Sequence, residues 1–179
     1  MNHILQIIEK YYPAGTEAHY IITKHSELVK NKVTQVANLH PELGIDLPFA
    51  QEAAMLHDIG IFRCHAPRIH CHGNHHYIEH GYLGADLLRE EGLPRHALVA
   101  ERHTGVGLSL ELILKTALPL PHRDMQPVSI EEQVICYADK FYSKTHLHDE
   151  FPLERVRSSI RRFGDAEEAK FNDWHQLFG

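Results

Sequence analysis

Cysteine is scarce. Cys64, Cys71 and Cys136 are the only three in 179 residues, too few for a disulfide framework, so a reduced, cytoplasmic setting is expected. The segment 1–15, MNHILQIIEKYYPAG, has no basic stretch followed by an apolar core and a cleavage site, which argues against a secretory signal. No run approaches the roughly 18 consecutive apolar residues of a membrane span, so no membrane partner is expected. Positive charge is in deficit: 18 Lys and Arg face 24 Asp and Glu, a net charge of −6. That balance does not advertise a surface for a nucleic-acid polymer. Small anionic ligands stay open, because a bound divalent cation can dominate local charge. Alternating strand patterns, internal repeats and linker-like stretches are also missing. What remains, at 43 % hydrophobic and 23 % charged residues, is the composition of one all-α domain over 1–179.

The apolar spacing is helical nearly throughout. Ile4, Ile7, Ile8 and Tyr11 form a stripe closed by Pro13 and Gly15. Tyr20, Ile21, Leu28, Val33, Val36 and Leu39 suit a long helix over 17–40. Pro48, with Asp46 or Leu47 near the cap, opens a third helix running to Gly60. A fourth covers 75–92 and stops at Gly92, and a short fifth covers 94–105. Three prolines make 118–127 a loop, and Ser129-Ile-Glu-Glu reads as a capping box that opens a helix through Asp139 and Phe141. Amphipathic segments at 152–163 and 166–178 finish the chain. Trp174 and Phe178 share one face of the last, which either packs on the core or pairs two copies in a homodimer.

The stretch 56–81 concentrates metal-binding chemistry: seven histidines, two cysteines and the adjacent pair His57-Asp58 in 26 residues. With His25, His80, His103 and Asp139, five predicted helices each offer one ligand or a pair. A helical bundle can aim such residues at one interior point. Histidine with carboxylate suits iron, manganese, zinc or magnesium better than soft ions. Asp58 and Asp139 would otherwise be costly charges inside apolar helices.

His25, then His57-Asp58, then Asp139 resembles the H…HD…D pattern of the HD superfamily of metal-dependent phosphohydrolases, and HDIG at 57–60 is a common form of its motif. His80 in EHGYLGA and His103 in ERHTG resemble the extra ligands of the subset that binds two metals, and YADK at 137–140 resembles the closing motif. The likeness covers about 18–145, leaving the C-terminal helices 152–178 outside it.

The resemblance implies a helical bundle around two divalent cations. Asp58 would bridge both and orient the attacking water; His25, His57 and Asp139 would hold one, His80 and His103 the other. The substrate would be a small phosphate ester or anhydride, a nucleotide above all, cleaved without a protein nucleophile. The branch that cleaves cyclic dinucleotides continues as HDIGK, but Ile61 stands at that position and a GYP segment is missing. Cyclic di-GMP is therefore disfavoured, and the chain looks more like the small bacterial and archaeal HD hydrolases, including those that split diadenosine tetraphosphate. Two rivals share the same ligands: a di-iron oxygenase of this superfamily and a non-catalytic nucleotide-binding signalling module.

Around the ligands, Arg63 and Arg68 on the loop are candidates to hold phosphate. Lys24, Arg102 and Lys140 each adjoin a ligand in sequence, which turns them about 100° away on a helix and favours solvent. Lys140 nevertheless stays a substrate-binding candidate, and Thr104, which with Gly105 ends its helix, either shapes the pocket or is a plain helix stop. His65, His70, His72, His75 and His76, with Cys64 and Cys71, are read as a solvated loop rather than a second site.

Overall fold

Local capping sets the helix starts. In the computed structural model, which describes residues 2–179, α1 spans Asn2–Tyr11 and α2 spans Glu17–Leu39. Thr16 Oγ1 accepts from His19 N at 3.2 Å, capping α2 behind the break at Pro13. Asp46 caps α3, Leu47–Leu56, by accepting from Phe49 N at 3.3 Å. The chain continues as α4 (His80–Glu90), α5 (Pro94–Arg102), α6 (Leu110–Lys115), α7 (Ile130–Asp139), α8 (Leu153–Arg161) and α9 (Asp165–Phe178). The fold is all-α apart from one small hairpin, β1 (His65–Ala66) against antiparallel β2 (Cys71–His72).

Several expected boundaries shift. The third helix stops at Leu56 and the chain passes through a 3-10 turn, Ile59–Arg63, instead of staying helical to Gly60. The fourth begins as a 3-10 turn over Tyr77–Glu79 before α4 proper. The helix carrying Asp139 ends there and not at Phe141. Ser129 accepts from Glu132 N as a cap should, but the Glu132 carboxylate bonds Val128 N and Arg102, so the box is half made. Helix α6 was not anticipated. The loop after HDIG is not simply solvated: Cys64, Ile69 and Cys71 are buried, while Pro67, Arg68, Asn74 and the loop histidines are exposed or partly so.

Two large apolar clusters hold the bundle, beside a smaller one of Leu108, Ile113, Leu120 and Met125. One gathers Val29, Val33 and Val36 of α2, Phe49, Ala50, Ala53 and Ala54 of α3, much of α7, and Val156, Phe171, Trp174 and Phe178 of the last two helices. The other joins Ile4, Ile7, Ile8 and Tyr12 to Ile21 and Ile22 of α2, Met55, Leu56, Ile59 and Ile61, and Leu87, Leu88 and Ala100. Each fully buried Ile or Leu contributes about 1.5–3 kcal/mol. Tyr20 and Leu39, expected on the apolar face, are exposed, and Ile22 and Val29 are buried instead. Trp174 and Phe178 face the first cluster, which uses the last helix as core.

The boundary between the two large clusters passes through His25 on α2 and through His57-Asp58 after α3. Two glycines bring a third wall close. A Cβ on Gly60 would lie 2.2 Å from His80 O and 2.5 Å from Gly84 N, so only glycine admits this contact between the 3-10 turn and α4. A Cβ on Gly81 would meet Ala100 O at 2.9 Å, which lets α5 approach α4. From α1's end, the buried Tyr12 hydroxyl accepts from Phe62 N at 2.9 Å and donates to Ile59 O at 3.2 Å, fixing the same turn. Among the described residues, no helix is long and apolar enough to cross a membrane.

Candidate metal centre

Three histidines share one device for aiming a ring. The last carbonyls of a helix lack intrahelical partners. His57 follows α3 and its Nδ1 lies 2.7 Å from Ala54 O; His103 follows α5 with Nδ1 2.8 Å from Ala100 O. His80 opens α4 with Nδ1 2.6 Å from Tyr77 O in the preceding turn. In each ring the Nδ1–H donates to the carbonyl three residues back, which leaves Nε2 with its lone pair turned inward.

Those lone pairs converge on Asp58, and its two oxygens divide them. His25 Nε2 is 3.2 Å and His57 Nε2 3.0 Å from Oδ2. His80 Nε2 is 3.5 Å and His103 Nε2 3.4 Å from Oδ1. Asp139 Oδ1 joins the first group, 3.0 Å from His25 Nε2 and 3.5 Å from His57 Nε2. In the second group His80 and His103 bring Nε2 atoms within 3.0 Å of each other. Two nitrogens bound to one ion at about 2.1 Å stand roughly 3.0–3.4 Å apart. Two candidate groups result: His25, His57, Asp58 and Asp139 in one, Asp58, His80 and His103 in the other. The six residues expected from sequence are thus brought together, with Asp58 common to both groups.

Asp58 Oδ1 and His57 Nε2 are buried without a hydrogen bond of good geometry, and Asp58 Oδ2, which has none either, meets the ammonium group of Lys144. Buried groups left unbonded in this way are costly. Divalent cations fit the vacant lone pairs and the nitrogen–carboxylate donor set, so the cluster could bind metal ions. The local electrostatics agree for the two carboxylates and His80, whereas His57 holds a proton that a cation would have to displace. Burial opposes ionisation of Asp58, but His57 and Lys144 outweigh it and hold the carboxyl well below its usual range. Burial likewise opposes ionisation of Asp139, which Lys140, His25 and His57 hold low. Burial and then His103 push His80 down to about 3, keeping it neutral as a ligand must be. For His57 burial is outweighed by Asp58 and Asp139, which raise it to about 9.

Lys144 was not singled out in the sequence. It follows α7 by five residues, and its Nζ comes 2.7 Å from Asp58 Oδ2 with only 14 % of the side chain exposed. Only a basic residue shortly after YADK could have hinted at it. Lys140 corrects an expectation: it does not face solvent, but places Nζ 2.6 Å from Asp139 Oδ2 and 3.2 Å from His103 O. The helix ends at Asp139, which frees the next residue from helical periodicity. Arg102 is partly buried against Glu132 at 2.8 Å, and Lys24 is partly buried too.

The other substrate candidates separate. Beside the cluster opens a cleft of about 820 Å³ that Arg68, Lys140 and Lys144 line. Arg63 does not line it; it lies over the Phe62 ring at 5.8 Å, on a segment whose carbonyl is tied to His75 N. Thr104 is also absent from the cleft. Its hydroxyl sits against Gly81 in the α4–α5 packing.

The model of the HD domain matches residues 21–143. The chain belongs to the HD-domain family. Among curated relatives, an uncharacterised protein of Methanocaldococcus jannaschii is 38 % identical over 96 residues, 53 % of this chain and 49 % of that protein. A tRNA (cytidine(56)-2′-O)-methyltransferase of Thermoplasma volcanium is 32 % identical over 164 residues, 91 % of this chain and 42 % of that protein. The enzyme of the same name from Picrophilus torridus is 30 % identical over 124 residues, 69 % of this chain and 32 % of that one. The chain therefore spans about half or less of the length of these relatives. No solved structure matches it.

Proposed function

We propose that this HD domain is a metal-dependent phosphohydrolase that cleaves a small phosphate ester or anhydride, a nucleotide first among candidates. The carrying observation is the division of Asp58, one oxygen toward His25 and His57 and the other toward His80 and His103. His25, His57, Asp58 and Asp139 would hold one divalent cation, and Asp58, His80 and His103 a second; iron, manganese, zinc and magnesium all suit these donors. When bound, two such cations supply an activated water near neutral pH and neutralise phosphoryl oxygens.

The chain's own groups do the rest. Asp58 spans both groups because a carboxylate has two oxygens. The carbonyls of Ala54, Tyr77 and Ala100 keep the imidazoles in the tautomer that presents Nε2. Lys140 and Lys144 stand on the cleft side of the cluster, where their ammonium groups meet an incoming phosphate. These cations favour an anionic substrate over a neutral polyol, and they suit a phosphonate, the other substrate of an oxygenase of this superfamily, as well as a phosphate.

The names of two relatives favour a second reading, in which the phosphate is carried by tRNA and not by a free nucleotide. The test of the main reading is metal content by plasma mass spectrometry, with p-nitrophenyl phosphate hydrolysis measured alongside. Two equivalents in the wild type, about one in His80→Ala and no turnover in Asp58→Ala are expected. Full hydrolysis by Asp58→Ala would sink the mechanism.

A further inference from the structure

The chain is acidic overall, yet its cleft is not. Arg68, Lys140, Lys144, Arg155 and Arg162 line it, and Asp139, already engaged in the cluster, is the one carboxylate there. The state of the arginines is more telling than their number. Arg89, Arg95, Arg102, Arg123, Arg157 and Arg161 each pair with a carboxylate. Among the described residues four arginines have no such partner: Arg63 lies over the Phe62 ring, and Arg68, Arg155 and Arg162 all line this cleft. Free guanidinium groups collected at one place, when acids are in excess elsewhere, form an anion site.

Their arrangement sets the shape of the anion. Arg155, Ser158, Ser159 and Arg162 recur at the i, i+3, i+4 and i+7 spacing along α8 and all line the cleft. Seven residues separate the two arginines, which at the helical rise is about 10 Å. Arg155 lies 3.7 Å over the Phe151 ring, which steadies its guanidinium plane and leaves its donors free. Arg68 lines the same cleft from the loop after HDIG. A lone phosphate at Lys140 and Lys144 leaves this row of donors unused; a chain of phosphates leading away from the cluster meets it.

We propose that the cleft reads a linear polyphosphate: the phosphoryl group to be cleaved lies at the cluster, and further phosphates of the same ligand are held by Arg68, Arg155 and Arg162. This rests on the phosphohydrolase reading and narrows it to substrates with more than one phosphate, such as nucleoside polyphosphates, over monoesters.

The test compares tripolyphosphate and orthophosphate as inhibitors of p-nitrophenyl phosphate hydrolysis, with free metal held constant and saturating. Tripolyphosphate should inhibit the wild type at far lower concentration. In Arg155→Gln/Arg162→Gln the ratio of the two inhibition constants should fall about tenfold, the scale of losing one charge-assisted contact. Arg68→Gln, on the loop after HDIG, should lower it in the same direction. A ratio unchanged in both variants overturns the proposal. So does equal or stronger inhibition by a short oligoribonucleotide with a 5′-hydroxyl, which would assign the arginines to an RNA backbone. If hydrolysis is absent altogether, the phosphohydrolase reading has failed, and thermal unfolding still decides this one. Tripolyphosphate should raise the Tm of the wild type more than orthophosphate does, and that excess should vanish in the double variant; no excess in the wild type rejects the proposal.

Discussion

Lys144 Nζ lies 2.7 Å from Asp58 Oδ2, the same oxygen that His25 and His57 face. Burial works against its charge, but Asp58 holds it protonated by raising its pKa. An ammonium group at this place competes for the lone pairs that a cation would take and repels that cation. Lys144→Met should therefore bind divalent metal more tightly, by about tenfold, a change smaller than one charge–charge contact near a protein surface can supply. Metal titration by calorimetry measures it. Weaker binding in Lys144→Met would show that the lysine supports the cluster instead of opposing it.

The backbone contact between Gly60 and Gly84 predicts a graded pair of variants. Gly60→Ala drives a methyl group against His80 O and Gly84 N and should cost about 1–3 kcal/mol in urea unfolding. It also displaces the helix that begins at His80, so the metal stoichiometry should drop toward one. Gly81→Ala meets its nearest atom at 2.9 Å and should cost less. The reverse order of stabilities would contradict the described packing.

Tyr12 lies outside every motif, yet its hydroxyl ties the turn after His57-Asp58 through Phe62 N and Ile59 O. Tyr12→Phe keeps the ring and strips the hydroxyl, leaving a buried N–H without its partner. A loss of about 1–3 kcal/mol follows, with helix content by circular dichroism preserved. No loss in denaturant midpoint would mean that the turn stands without it.

The thiols supply a pH dependence. Burial pushes Cys64 and Cys136 up to about 12 and Cys71 up to about 11. The unfolded thiol titrates near about 8.5. Below that value both states keep the proton and stability is unaffected. As pH rises from about 9 toward 11, the unfolded chain gives up protons that the folded chain retains, so each thiol lowers stability by up to about 1.4 kcal/mol per pH unit. Urea midpoints should fall over that window, and iodoacetamide at pH 8 should label none of the three before unfolding. Rapid native labelling of Cys64 would show that the loop is open.

The helices were legible because periodicity, proline and capping residues act within a few positions of each other. Asp46 and Ser129 cap the helices expected to start there, and Thr16, not singled out in the sequence, caps α2 at its expected start. The six residues of the cluster could be named from the order of the HD motif. What local pattern cannot report is an approach between distant segments. Lys144 meets Asp58 across 86 positions, and the HDIG glycine touches α4 by backbone alone. Lys140 turns inward because its helix stops one residue earlier, and the cysteines of the histidine-rich loop are buried by the hairpin that the loop forms. The three free arginines of the cleft become a group only when α8 folds beside that loop. Sequence alone determined which side chains can carry charge and lone pairs, and on which helices they ride. Tertiary structure decided which oxygen of Asp58 each imidazole faces, and which cations remain without partners, because both depend on distances that the chain fixes only by closing on itself.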